Sequence, residues 1–137
     1  MIVDGDEGRE VGLRRLALVS GGYDVVLAVP MLLFPALVAR TFGAPEPVPV
    51  LNAQLNGLFT LVLAIGYFWT ARDVAARLGF LWCAGVLAKG LGATLFVLDH
   101  FLRGSPTSFL LFAATDGSLA LLTLVMLLRR SRMAPRR

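Results

Sequence analysis

The chain has little of what proteins commonly use for chemistry. Its 137 residues include one cysteine, Cys83, and one histidine, His100. A lone cysteine closes no intramolecular disulfide, so the redox compartment cannot be read from it. It also argues against the four-helix membrane enzymes that exchange thiols and disulfides with quinones, which need paired cysteines. With a single histidine no His pair is available for a metal. Asp99-His100 is adjacent in sequence, and neighbouring residues on a helix do not face one way, so it reads as a solvated helix end. No metal site and no cofactor are expected. There is no glycine-rich phosphate loop, no Ser/His/Asp order and no HExxH, so no catalytic motif is present and the chain leans away from being an enzyme.

What the chain does have is apolar length. Hydrophobic residues make up 57% of it, and the mean hydropathy is +0.75, whereas soluble domains are about 45–50% apolar. The excess falls in four blocks, approximately 16–39, 50–71, 78–101 and 107–128. At about 1.5 Å per residue, each can span a hydrocarbon core of about 30 Å. Only short connections and two polar tails, 1–13 and 129–137, are left over. The expectation is an all-α fold: one domain over 1–137, a four-transmembrane-helix bundle in a lipid bilayer. The first block is longer than a signal-peptide core and follows an acidic stretch, Val3-Asp4-Gly5-Asp6-Glu7, so it reads as a retained helix. Residues 1–12 read as a frayed tail.

The net charge of +4 would suggest a nucleic-acid partner in a soluble protein. Here the arginines follow topology instead. Arg9, Arg14 and Arg15 precede the first block, Arg72 and Arg77 sit between the second and third, and Arg129, Arg130, Arg132, Arg136 and Arg137 follow the fourth. Only Arg40 and Arg103 lie on the other side, a bias of ten to two that places both termini in the cytoplasm. No aromatic residues interleave with the basic tail, so it reads as a topology signal and a contact for anionic lipid, not for nucleic acid.

Polar residues inside the blocks define the candidate site. Lys89 lies within Leu81–Phe96, an otherwise apolar run, and a charge at mid-bilayer costs at least about 2.5–3.5 kcal/mol unless it faces a partner or water. Its i±3/4 neighbours, Trp82, Gly85, Val86, Gly92, Ala93 and Phe96, include several small residues that admit a close helix. Counting from the cytoplasmic boundary at the helical rise, Asp24 is about 12 Å deep, Lys89 about 16 Å and Asp116 about 18 Å. The third and fourth blocks are joined by a short loop and should pack antiparallel, which lets Lys89 meet Asp116. In the second block Asn52, Asn56 and Thr60 recur every fourth residue and Tyr67 follows, so these four should share one face turned toward neighbouring helices. Tyr67 and Trp69 also suit an interfacial anchor role. Arg72-Asp73 reads as a local ion pair. Pro30 and Pro35 should bend the outer half of the first block, and the proline-rich stretch from Phe42 to Pro49 should be an extended outer segment.

Asp24, Lys89 and Asp116, with Asn56 and Tyr67 closing the set and Tyr23 and Asn52 nearby, are therefore the candidates for a ligand or proton site. A helix-locking ion pair between Lys89 and Asp116 is the simpler reading. The spare carboxylate is what points beyond it.

The layout resembles the DoxX-like group of small four-helix bacterial membrane proteins. The shared features are Pro30 and Pro35 in the first block, the proline-rich outer loop, Asn56-Gly57 in the second block and the apolar run from Gly66 ending in Arg72. The group often has an acidic residue where Asn56 stands. The resemblance implies an inner-membrane protein, often an accessory subunit of a membrane redox system. Small four-helix multidrug exporters, with an essential glutamate near the region of Asp24, are a weaker match, because they carry less charge bias and shorter loops. The functional expectation is an accessory protein or subunit in a homo-oligomer or larger membrane complex, with a small lipophilic or cationic ligand. The alternatives are a proton-coupled transporter acting as an oligomer and a membrane enzyme acting on a lipid or isoprenoid.

Overall fold

A computed structural model describes residues 3–131, with side chains described for residues 8 and 10–131. Every element in this range is helical. α1 (Val3–Leu33) and the short α2 (Pro35–Thr41) are followed by α3 (Val50–Thr70). α4 (Ala75–Arg103) and α5 (Thr107–Ser131) complete the chain. Four segments are long and apolar enough to cross a membrane: Glu10–Leu33, Val50–Thr70, Ala75–Arg103 and Thr107–Ser131.

The boundaries depart from the sequence reading at both ends of the first block. α1 is already helical at Val3, so most of the expected frayed tail continues the helix. Once a helix is nucleated, each added residue costs little, and no proline interrupts α1 before Pro30. At the other end the block breaks at Phe34, whose φ of −137° and ψ of 52° leave the helical region. The residue before a proline is pushed out of the α region, and Pro35 then opens α2 from its first position. Pro30 stays inside α1. The expected bend is thus a break just ahead of the second proline. The Phe42–Pro49 connection is free of helix, as its prolines suggest.

α1 packs along α3, and α4 along α5, giving two antiparallel pairs. At the end that carries the start of α1 and the end of α5, they close over a common core. Leu13 and Ala17 from α1 meet Tyr67 of α3, Ala71 and Val74 of the connection, Leu81 and Ala84 of α4, and Leu127 of α5. At the opposite end the pairs are tied on one side only. Phe42 packs against Phe112 with ring centroids 4.7 Å apart, and the Ser108 hydroxyl donates to the Phe42 carbonyl. α3 meets α4 through the stretch from Leu78 to Ala88 at the core end.

Two glycines set the helix spacing. A Cβ on Gly57 would lie 3.0 Å from the Ala28 carbonyl oxygen and from the Leu32 backbone nitrogen, so α1 and α3 approach at backbone distance. A Cβ on Gly85 would lie 2.9 Å from Thr123 Cγ2 of α5. Such close approach increases dispersion contact where the bundle has few large side chains to fill it. Gly57→Ala should lower bundle stability by about 1–3 kcal/mol through overpacking. Gly22→Ala, where a Cβ meets nothing within 4 Å, should leave stability unchanged or raise it by up to about 1 kcal/mol through helix propensity. Thermal unfolding of both variants in the same detergent checks the contrast.

Candidate functional site

α1 turns one buried stripe inward: Leu13, Ala17, Ser20, Asp24 and Ala28. Their spacing of four, three, four and four residues keeps them on one helical face. Asp24 is thereby delivered to the middle of the bundle with 3% of its surface exposed. Lys89, the only lysine in the sequence, enters from α4 and is 7% exposed. Asp116 enters from α5.

These three side chains form one ion cluster. The Lys89 ammonium donates to Asp24 Oδ1 at 2.7 Å and to Asp116 Oδ1 at 2.9 Å. Tyrosine rings flank the same nitrogen, Tyr23 at 4.9 Å and Tyr67 at 5.7 Å to the ring centroids. Both lie within the roughly 6 Å at which a ring face attracts a cation. The Tyr23 hydroxyl shares a 2.7 Å hydrogen bond with Thr115 Oγ1, which ties α1 to α5 beside the cluster. All four long helices therefore contribute to the surroundings of one ammonium group. Its two hydrogen bonds are charge-assisted, and its burial makes them matter more than they would at a surface.

The cluster is not closed. Asp24 Oδ2, the Tyr67 hydroxyl and Ser20 Oγ are buried and have no hydrogen-bond partner among the described residues. A buried polar group without a partner costs about 1–3 kcal/mol, more when charged. Ser20 precedes Asp24 by one turn on the same face. Tyr67 is 1% exposed, and a long side chain on a helix leans toward the helix N-terminus. In α3 that direction is away from the closed core and toward the ion cluster, which explains how the ring reaches Lys89. Tyr67 is thus an interior residue, not an interfacial anchor. Trp69 is exposed and has the Arg77 guanidinium 4.8 Å from its ring centroid.

Several expectations change in detail. Lys89 bonds both aspartates, where the simpler reading paired it with Asp116 alone. Ser20 was not anticipated, although its position four residues before Asp24 was a usable signal. Around Lys89 the buried residues on the N-terminal side are Leu81, Ala84 and Gly85, while Trp82 is exposed. The cause is a π-helical stretch, Leu81–Ala88, running up to the lysine. With bonds from i to i+5 each turn is wider, so counting back by ordinary helical turns finds Gly85 but wrongly brings in Trp82. The expected polar face of the second block does not form as one unit. Asn52 and Asn56 are exposed and Thr60 is half-buried, its hydroxyl donating to the Asn56 carbonyl at 2.8 Å. Asn56 and Tyr67 head within about 20° of each other at 3.6 residues per turn. Yet the contacts of α3 with α4 fall mainly on Leu78–Ala88, at the Tyr67 end, so the same heading is buried at one end and open at the other. Asp73 pairs with Arg77 at 3.9 Å and accepts from the Ala76 backbone N–H at 3.1 Å, capping the turn that starts α4 in place of the expected pair with Arg72. Asp99 pairs with Arg103 at 3.0 Å, and His100 Nδ1 lies 2.7 Å from the Ser105 carbonyl oxygen. Among the described residues no group of three or more His, Cys, Asp or Glu side chains could hold a metal ion.

Comparison with family models, with curated proteins and with solved structures gives no match.

The pairing predicts an order of stabilities. Lys89→Met strands two carboxylates and should cost about 3–5 kcal/mol. Adding Asp116→Asn should recover part of that loss, and adding Asp24→Asn as well should recover most of it. Denaturation in detergent micelles reads the series. A triple variant less stable than Lys89→Met would mean that charge pairing does not hold the centre.

Proposed function

We propose that this chain is a multi-pass protein of a bacterial inner membrane, with both ends of the chain in the cytoplasm. We propose further that it acts as a non-enzymatic accessory protein or subunit that holds a small cationic or lipophilic ligand at the Asp24–Lys89–Asp116 centre. The membrane reading is supported by the outward surface of the bundle. In none of the four long apolar segments is more than 28% of the apolar window buried inside the protein. Large side chains such as Val26, Ile65, Leu91, Leu95 and Leu121 point out of the bundle, each at least 59% exposed. Water makes such a surface costly and hydrocarbon does not. The arginine bias supports the orientation, and the DoxX-like layout of the sequence agrees with an accessory role.

The observation that carries the ligand reading is the imbalance at the centre. Two carboxylates share one ammonium, while a carboxylate oxygen and a tyrosine hydroxyl beside it lack partners. A cluster serving only to lock helices would gain by satisfying these groups. A ligand that brings positive charge or hydrogen-bond donors completes them. A second reading, proton-coupled transport by an oligomer, draws on the unequal burial of the carboxylates: the Asp116 side chain is 16% exposed and that of Asp24 is 4% exposed.

Native mass spectrometry of the protein, extracted gently from its own membrane, should show a bound small molecule or a partner subunit at fixed stoichiometry. The small molecule should be lost in Asp24→Asn. A bare homo-oligomer would favour transport instead. In a Cys83→Ala background, cysteines placed at Met1 and at Arg137 should react with an impermeant thiol reagent only after the cells are opened. Labelling of either in intact cells would overturn the orientation.

A further inference from the structure

With both aspartates ionised the ion cluster is one positive charge short, and three buried oxygens, on Asp24, Ser20 and Tyr67, have no partner among the described residues. Asp24 directs Oδ1 to Lys89 and leaves Oδ2 free. Ser20 lies one turn back on the same face of α1, 1% exposed, with its Oγ unpartnered. Tyr67 leans in from α3, its hydroxyl also unpartnered. No other lysine exists in the chain, and every arginine lies outside the Ser20–Ala28, Gly57–Tyr67, Lys89–Phe96 and Ala113–Thr123 stretches that form the middle of the bundle. The missing charge is therefore not supplied by another side chain from those stretches.

We propose that Ser20 Oγ, Asp24 Oδ2 and the Tyr67 hydroxyl form a site for one monovalent alkali cation. This rests on the ligand reading given above and narrows the ligand to an inorganic ion. Three kinds of occupant can be weighed by what each would satisfy. A proton on Asp24 Oδ2 balances the charge, but neither hydroxyl is a hydrogen-bond partner of that oxygen, so both stay unsatisfied. A water molecule can serve all three oxygens but leaves the charge uncompensated in a medium where that is expensive. A small monovalent cation does both. Its ligands would be hard neutral or anionic oxygens, the type that such cations select over nitrogen and sulfur. The ion would sit on the carboxylate oxygen opposite the one that holds Lys89, so the two cations would be separated by the carboxylate that attracts both. With Asp24 and Asp116 ionised, Lys89 and the bound ion bring the centre to neutrality.

The test is the thermal stability of the purified protein in detergent, titrated with sodium, potassium or N-methylglucamine chloride at constant ionic strength. Binding to the folded state stabilises it by RT ln(1 + [L]/Kd), so Tm climbs with the logarithm of ion concentration once that exceeds Kd. The expected result is a logarithmic rise with sodium or potassium and none with N-methylglucamine. In Tyr67→Phe and in Ser20→Ala, the concentration at which the rise sets in should move up by about tenfold or more, as removal of a supporting metal contact does elsewhere. Both variants delete a buried unpartnered hydroxyl and should still fold, whereas Asp24→Asn should abolish the response. If the three salts give the same Tm, or if the alkali effect survives unchanged in Tyr67→Phe and Ser20→Ala, the cation site is wrong. Should salts have no effect while an organic ligand still co-purifies and is lost in Asp24→Asn, this inference falls and the broader ligand reading stands. The loss of both signals would remove the two together.

Discussion

The ammonium of Lys89 is the group that the bundle cannot leave alone. In an apolar interior its charge must be compensated at contact distance, and the compensation comes from two helices other than its own. Asp24 and Asp116 bring α1 and α5 to α4 around one nitrogen. The tyrosine rings of α1 and α3 cover the remaining directions. A cation in this setting acts as a register pin. Sliding any of the three helices by one turn would move a carboxylate about 5.4 Å and break the pairing. Apolar packing offers no such discrimination, because leucine against leucine is tolerant of register. This is the best-attested service of a buried ion pair, whose net contribution to stability is otherwise small.

The backbone around the lysine is shaped to the same end. The π-helical stretch Leu81–Ala88 widens the helix just before Lys89. It allows Leu81, Ala84 and Gly85 to face the closed core while Lys89 faces the aspartates. Gly85 lets Thr123 of α5 come against the α4 backbone. Gly57 does the same for α1 and α3. The core at the end with the chain termini is small and made largely of alanine, leucine and tyrosine. The opposite end is joined on the α5 side by Phe42 and Phe112, while the contacts of α3 with α4 fall mainly on Leu78–Ala88. The ion cluster therefore lies between a closed half and a half that is tied on one side only.

That asymmetry explains the fate of the polar residues on α3. Tyr67 and Asn56 share a heading, but only Tyr67 has a helix in front of it. The hydroxyl of Tyr67 is then trapped near charged groups without a partner, as are Ser20 Oγ and Asp24 Oδ2. Three unsatisfied oxygens around a cluster lacking one positive charge describe a centre that its own side chains do not complete. In a bundle otherwise economical with polar groups, that incompleteness is the feature most directly connected to binding.

The amino-acid sequence by itself determined the four long apolar helices, because the length and apolarity of a segment are local properties that survive any packing. It also determined that Asp24, Lys89 and Asp116 lie at comparable depth, since helical rise converts residue count into distance. It carried the break near Pro35, because a proline constrains its own neighbours. Only the tertiary structure decided that Lys89 would take both aspartates and that Ser20 Oγ would be buried without a partner. The same holds for the burial of Tyr67 while Asn56, on nearly the same heading, stayed open. These outcomes depend on which helix stands opposite at each level. The π-helical stretch turned Trp82 away from the Lys89 face, and a shift from i→i+4 to i→i+5 bonding leaves no mark in composition. Helical periodicity fixes where a side chain points along its own helix, and the contact it finds there is set by helices that are distant in sequence.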